Sequence, residues 1–223
     1  MRSPLFKVMI SCIVIFWTGV GYGVSADLAP DVEAILAGLQ KRYNADGFSA
    51  RFDQTSTLKA MEISDSAAGT IAVKPPGKMR WSYMAPERQI IISDGKSLWI
   101  HRPDDNQVMV GKAPAFFGDG KGAGFLSDIG SLTQHFVITR SNEAMAGDRY
   151  GLKLVPIEAQ TEVSEIYLTI DKARYDIVDI LTYNAYGDET VITLSDVRFD
   201  APLDDALFDF QIPTGADVIQ LEP

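Results

Sequence analysis

Thiol and imidazole chemistry is almost missing from this chain: of 223 residues, one is cysteine, Cys12, and two are histidine, His101 and His135. A lone cysteine excludes an internal disulfide, and two separated histidines without cysteine neighbours lack the spacing of a zinc site. No G-x-S-x-G, glycine-rich nucleotide loop or metal-binding helix motif occurs. Positive charge is also short, with 20 Lys and Arg against 30 Asp and Glu, a net charge of −10. Without a basic stripe to displace counterions, nucleic acid is excluded as a partner, and adsorption to anionic headgroups is disfavoured. The acidic surplus reads as a solubility device. Carboxylates are plentiful, yet their spacing singles out no pair for hydrolysis, so an enzyme ranks behind a binding protein.

Long apolar runs are scarce too. Only one stands out, Val8 to Val20, preceded by Arg2 and Lys7 and followed by the small residues Val24-Ser25-Ala26. That order predicts a secretory signal over residues 1–26, cleaved after Ala26, with residues 27–223 as a single domain. The run is short of the ~20 residues that a spanning helix needs. Cys12 lies inside it and precedes most of the apolar stretch, which places it badly for lipid modification at a cleavage site. Removing the leader takes away two cations and no anions, so the net charge moves from −10 to −12. The exported chain is then free of thiols and depends on its core alone.

What is present is two-fold alternation. One helix comes first: Pro30 suits its opening position, and Val32, Ile35, Leu36, Leu39 and Tyr43 form an apolar stripe that ends at Asp46-Gly47. From Phe48 the period becomes two, which predicts eleven strands near 47–57, 68–74, 78–84, 88–93, 97–102, 107–112, 135–143, 149–156, 164–171, 177–184 and 189–198. Turn chemistry at Asp94-Gly95, Pro103 to Asn106 and Tyr186 to Asp188 makes neighbours antiparallel. Eleven strands from one chain predict a mainly β (α+β) fold, a curved antiparallel sheet forming an incomplete half-barrel capped by short helices. Residues 113–133 break the rhythm: glycine-rich yet apolar, they predict a short helix near 123–133 on a glycine-rich hinge, a lid or equally a loop that plugs one end of the barrel.

Within KPPGKMRWSYMAP, residues 74–86, Met79, Trp81 and Tyr83 stand at every second position with no acid, base or nucleophile beside them on that side. They share one face of a strand. Together with Phe48, Phe52 and Ile91 they form a candidate apolar lining, and Phe116, Phe125, Leu126 and Ile129 form its candidate cover. Methionine suits a surface that must adapt to flexible guests. Alternation marks burial and not vacancy, so ordinary core packing remains an equal reading of each residue.

Several segments in fixed order carry a resemblance: Phe48 to Gln54, Gly69 to Lys74, Pro76 to Tyr83, Pro86, Ile92 to Trp99, Gln107-Val108, Ile166 to Asp171, Gly187, Thr190, Phe208 to Phe210, and Pro213 to Ile219. The chain resembles, over nearly its whole exported length, the periplasmic outer-membrane lipoprotein carriers of LolA type. The resemblance implies a half-closed barrel whose apolar cavity accepts the acyl chains of lipoproteins. It also implies an inner-membrane lipoprotein-releasing ABC transporter that loads the carrier and an outer-membrane receptor that unloads it. The carrier is then a periplasmic monomer and not an enzyme, without cofactor or metal. In that family an arginine directly before the proline matching Pro76 commonly ties sheet to lid. Pro75 stands there in this chain and has no donor, so the latch is missing in that form. A lipid-binding or lipid-sensing envelope protein with different cargo is the alternative on the same fold.

Overall fold

A computed structural model describes residues 32–44, 46–142, 148–199 and 202–221. The expected leader at 1–26 and the helix-opening Pro30 lie outside them. The stripe read from the sequence forms α1 (Val32–Tyr43), which buries Ile35, Leu36, Leu39 and Tyr43 and carries Glu33 in its first turn and Lys41 and Arg42 in its last. Those charges oppose the helix dipole at each end.

Among the described residues the sheet has twelve strands, one more than the alternation predicts. They are β1 (Phe48–Leu58), β2 (Ile63–Lys74), β3 (Lys78–Ala85), β4 (Gln89–Asp94), β5 (Ser97–Arg102), β6 (Gln107–Lys112), β7 (Phe136–Arg140), β8 (Arg149–Pro156), β9 (Glu165–Asp171), β10 (Ile177–Tyr183), β11 (Glu189–Arg198) and β12 (Asp217–Gln220). The order is β12-β6-β5-β4-β3-β2-β1-β11-β10-β9-β8-β7, antiparallel throughout except for β12, which runs parallel to β6. With β12 at one edge and β7 at the other, the sheet curves without closing. β12 escapes the sequence reading because all four of its residues are exposed, so burial imposes no alternation on it. β2 begins at Ile63, not near 68, because it continues the long β1–β2 hairpin in register to Leu58↔Ile63.

The inner face packs beneath α1 and the connection between β6 and β7. Across β1 to β5 its rows read Phe48↔Val73↔Met79↔Ser93↔Leu98 and Ala50↔Ile71↔Trp81↔Ile91↔Ile100. On the other wing Ile192↔Ile180↔Leu168↔Leu152 continues it. The apolar residues of these rows belong to one buried cluster with Ile35, Leu36 and Leu39 of α1. Tyr43 fastens the helix: its hydroxyl accepts from the Ile177 amide at 2.8 Å. Arg42 adds a 2.7 Å ion pair with Asp176, a carboxylate only 2% exposed.

A C-terminal strap crosses the outer face. Lys74 Nζ donates to the Leu203 carbonyl and to Asp205 Oδ1, Lys78 Nζ donates to the same Asp205 oxygen, and Arg80 donates to the Leu207 carbonyl. Phe208 is buried, and the Phe210 ring lies 6.1 Å from Trp99 and 5.4 Å from His101. The strap then delivers β12 to the β6 edge.

Candidate functional site

The inner face near Trp81 is built by strand register. Ile71, Trp81 and Ile91 stand opposite one another on β2, β3 and β4, and Gly69 faces Tyr83 one row along. Phe52 on β1 pairs with Gly69, so its ring fills the space above a residue with no side chain. The result is an aromatic trio: Phe52 meets Trp81 at 5.0 Å and 69° and Tyr83 at 5.0 Å and 76°, while Trp81 and Tyr83 stack at 6.5 Å. These are the edge-to-face and offset arrangements that ring quadrupoles favour. Gly69 shapes the site, although no pattern in the sequence marks it for that role. A Cβ there would stand 2.1 Å from the Ser82 carbonyl oxygen and 2.9 Å from the Phe52 ring.

Five of the six lining residues are buried, namely Phe48, Phe52, Met79, Trp81 and Ile91, and Tyr83 is half-buried against them. Phe48 sits apart from the trio. Tyr43 holds it edge-on at 5.1 Å and Phe199 packs at 5.4 Å, which makes it part of the seat of α1.

The cover differs in form from the helix predicted near 123–133. Residues 113–135 comprise α2 (Ala113–Phe117), 3-10 turns over Gly118–Ser127 and Ile129–Ser131, and α3 (Leu132–His135). Ala123 adopts a left-handed φ of 59°, and Gly124 lies so close to the Phe117 carbonyl that a Cβ would stand 2.1 Å from it. A continuous α-helix does not accommodate the left-handed Ala123. His135, expected to open a strand, ends α3 instead. Phe125, Leu126 and Ile129 are buried in the same cluster as Trp81. Phe116 departs from its expected place: it is 36% exposed, and Phe117, met edge-on at 5.1 Å, is the ring packed against the cluster. The hydroxyls of Ser127 and Ser131 donate within the cover itself, to the Gly124 and Asp128 carbonyls. Pro75 lines a recess with Asp128, Ile129 and Gly130, so the residue at the latch position does face the cover, though without a donor to offer it. Lys74, Lys78 and Arg80 all reach the strap on the opposite side.

A cavity of about 280 Å³ opens between cover and sheet, lined among others by Phe117, Phe125, Leu132, Phe136 and the turn residues Gly77 and Gly95. Those two turns touch: a Cβ on Gly77, whose φ is +74°, would stand 2.9 Å from Gly95 Cα. Ser93 ties them, donating to the Gly77 carbonyl and accepting from the Gly95 amide.

Polar groups also line the inner face, a feature that strict attention to large apolar residues overlooks. Tyr83 donates its hydroxyl to Gln54 Oε1 at 3.1 Å, Gln54 Nε2 donates to Ser56 Oγ at 3.1 Å, and Ser56 meets the Thr190 hydroxyl at 3.2 Å. Burial pushes the Tyr83 phenol up, which keeps its proton in place. Trp81 Nε1 is buried and has no hydrogen-bond partner among the described residues. Among those residues no group of three or more His, Cys, Asp or Glu side chains is placed to hold a metal ion. Nor is any helix there long and apolar enough to cross a membrane.

Residues 43–211 match the family described as "Outer membrane lipoprotein carrier protein LolA". An outer-membrane lipoprotein carrier protein of Pseudomonas paraeruginosa is 28% identical over 208 residues, covering 92% of this chain and 97% of that protein. One of Azotobacter vinelandii is 29% identical over 208 residues, 93% of this chain and 97% of its own. The crystal structure of an uncharacterized conserved protein from Thermus thermophilus superposes with a TM-score of 0.57 at 12% identity, covering 85% of this chain and 98% of that one. That last likeness is one of fold.

Proposed function

The chain belongs to the LolA family of outer membrane lipoprotein carrier proteins, and from that premise we propose that it shelters the acyl chains of lipoproteins while they cross the periplasm. In this reading residues 1–26 are a cleaved signal, and the rest acts as a soluble periplasmic monomer, a chaperone and not an enzyme. An inner-membrane lipoprotein-releasing ABC transporter loads it, and an outer-membrane lipoprotein receptor unloads it.

The observation that supports this best is the pairing of two apolar surfaces. Phe52, Met79, Trp81, Tyr83 and Ile91 line the sheet, and Phe125, Leu126 and Ile129 lie over them in one cluster. Burying a methylene is worth ~0.8 kcal/mol, so three acyl chains of about fifteen carbons hold tens of kcal/mol against exposure to water. No lipoprotein diffuses freely at that cost. A cover held by side-chain packing can be replaced, contact for contact, by hydrocarbon, so loading exchanges one apolar surface for another. The small gap between the two states is what lets cargo leave.

The test is release. Purified protein lacking residues 1–26 is incubated with inner-membrane vesicles that contain an acylated lipoprotein, the transporter and ATP. Lipoprotein should appear in the soluble fraction in a complex with this protein, and a non-acylated variant should not. Absence of any soluble complex would sink the proposal, and recovery of free lipid without polypeptide would point to a different cargo.

A further inference from the structure

We propose that the Trp81 indole N–H is the hydrogen-bond donor for a carbonyl oxygen joining a fatty chain to its carrier group, so that the site reads acyl linkage as well as hydrocarbon. This rests on the carrier reading and deepens it. Trp81 is 3% exposed, and its Nε1 has no partner among the described residues. Native proteins seldom leave a buried donor unmade, because its water is lost without replacement. Cross-strand neighbours in its row are Ile71 and Ile91, and its ring neighbours are Phe52 and Tyr83. An indole N–H can only donate, so a ligand that satisfies it must bring an acceptor.

The surroundings decide which acceptor. An anion placed there would lose its hydration with no cation beside it, since Lys78 and Arg80, the basic residues that flank Met79 on β3, point to the outer face and bind Asp205 and the Leu207 carbonyl. A neutral carbonyl suffers far less. Among ligands that also match an apolar wall, an acyl ester or amide supplies that oxygen at the head of its hydrocarbon chain. The inner face beside it is polar on one side: Thr190, Ser56, Gln54 and Tyr83 form a hydrogen-bonded line along that face, and Tyr83 stacks on the Trp81 ring. Gln54 Nε2 keeps a second hydrogen beyond its bond to Ser56, which provides a second neutral donor on this line.

The experiment titrates the protein, without residues 1–26, with four probes in detergent-free buffer below their aggregation limits. These are a diacylglyceryl-cysteine lipopeptide, its dialkyl ether counterpart, and short-chain diacyl and dialkyl phosphatidylglycerol. Affinity and the ¹⁵N-indole proton resonance of Trp81, assigned by Trp81→Phe, are read together. The expected result is that esters bind roughly tenfold more tightly than the matching ethers, the scale of one neutral hydrogen bond. The Trp81 N–H resonance should move downfield only with esters, and Trp81→Phe should bind ester and ether alike. Preference in the lipopeptide pair or in the phospholipid pair supports the donor role, and the pair that shows it identifies the source of the carbonyl. Equal binding of ester and ether in both pairs, or an unmoved Trp81 resonance with bound ester, overturns the inference while leaving the carrier reading intact. If none of the four binds, the carrier reading falls as well. Should Trp81→Phe fail to fold, the ester–ether comparison on the unaltered protein still decides.

Discussion

At the scale of single residues, the site depends as much on what is omitted as on what is large. Gly69 leaves room for the Phe52 ring over β2, and the nearest obstacle to a side chain there is the Ser82 carbonyl, a backbone atom locked in the β2–β3 ladder. Gly69→Ala should therefore destabilise the protein by about 1–3 kcal/mol, the usual cost of overpacking, where a surface Gly→Ala in a strand would be neutral or favourable. Urea denaturation measures it, and a midpoint equal to that of the unaltered protein would mean that the two strands part more easily than their register suggests. Met79 offers the contrasting case. Fully buried at the Val73 and Ser93 row, it should tolerate Met79→Leu at a cost under about 1.5 kcal/mol because volume is conserved. Flexible cargo should bind the leucine variant less well, since the thioether chain repacks where leucine does not.

At the scale of elements, the two coverings of the sheet differ in that the outer strap adds ion pairs to the packing of Phe208 and Phe210. The outer strap is pinned by charge: hydrogen bonds from Lys78 and Lys74 hold the Asp205 carboxyl down at about 2, below its ordinary 3.8. A depressed folded-state value means that the pin contributes fully above the ordinary value and is lost as pH falls through about 2. Asp205→Asn should thus lower the melting temperature at pH 7, and the gap to the unaltered protein should shrink between pH 4 and pH 2. A gap that stayed constant over that range would show that the pin is not electrostatic. The inner cover is held by packing, so Leu126→Ala should cost about 2–5 kcal/mol if the cover is part of the global fold. If the cover opens on its own, the same change should instead speed amide exchange across residues 123–132 and leave β8 to β10 protected. The carrier reading expects the second outcome. Elements differ in how far the sequence reveals them, and for physical reasons. β3 and β5 are legible to within a residue because one buried face enforces alternation, as the pattern from Lys78 to Trp81 shows, where Met79 and Trp81 are buried and Lys78 and Arg80 only partly so. The cover is legible as an apolar, glycine-rich segment but not as 3-10 turns, because Gly124 answers to Phe117 and Ala123 to its left-handed backbone, neither of which periodicity contains. Of the candidate lining, the apolar residues announce themselves, and Gln54 and Ser56 follow Phe48 and Phe52 by the alternation of β1, whereas Thr190 joins them only through register between strands, 134 residues from Ser56.

For the whole molecule, the consequence is a separation of tasks between the faces of one sheet. Lysines and Arg80 on the outer side hold the C-terminal strap, while the inner side packs its apolar residues against α1 and the cover. A guest that enters the inner side stabilises the native state by mass action, since the unfolded chain offers no such surface. At a free concentration one hundred times its dissociation constant the gain is about 2.7 kcal/mol, which for a domain of this size raises the melting temperature by roughly 5–10 °C. An acylated lipopeptide should produce that rise, and the same peptide without acyl chains should produce none. Because the contacts are apolar, the rise should persist from about 50 to 500 mM salt, where ion pairing at an acidic surface of net charge −10 would be screened over roughly 4–14 Å. Calorimetry distinguishes the cases: a rise that vanishes at high salt would place the guest on the charged exterior, and one that survives would place it between sheet and cover.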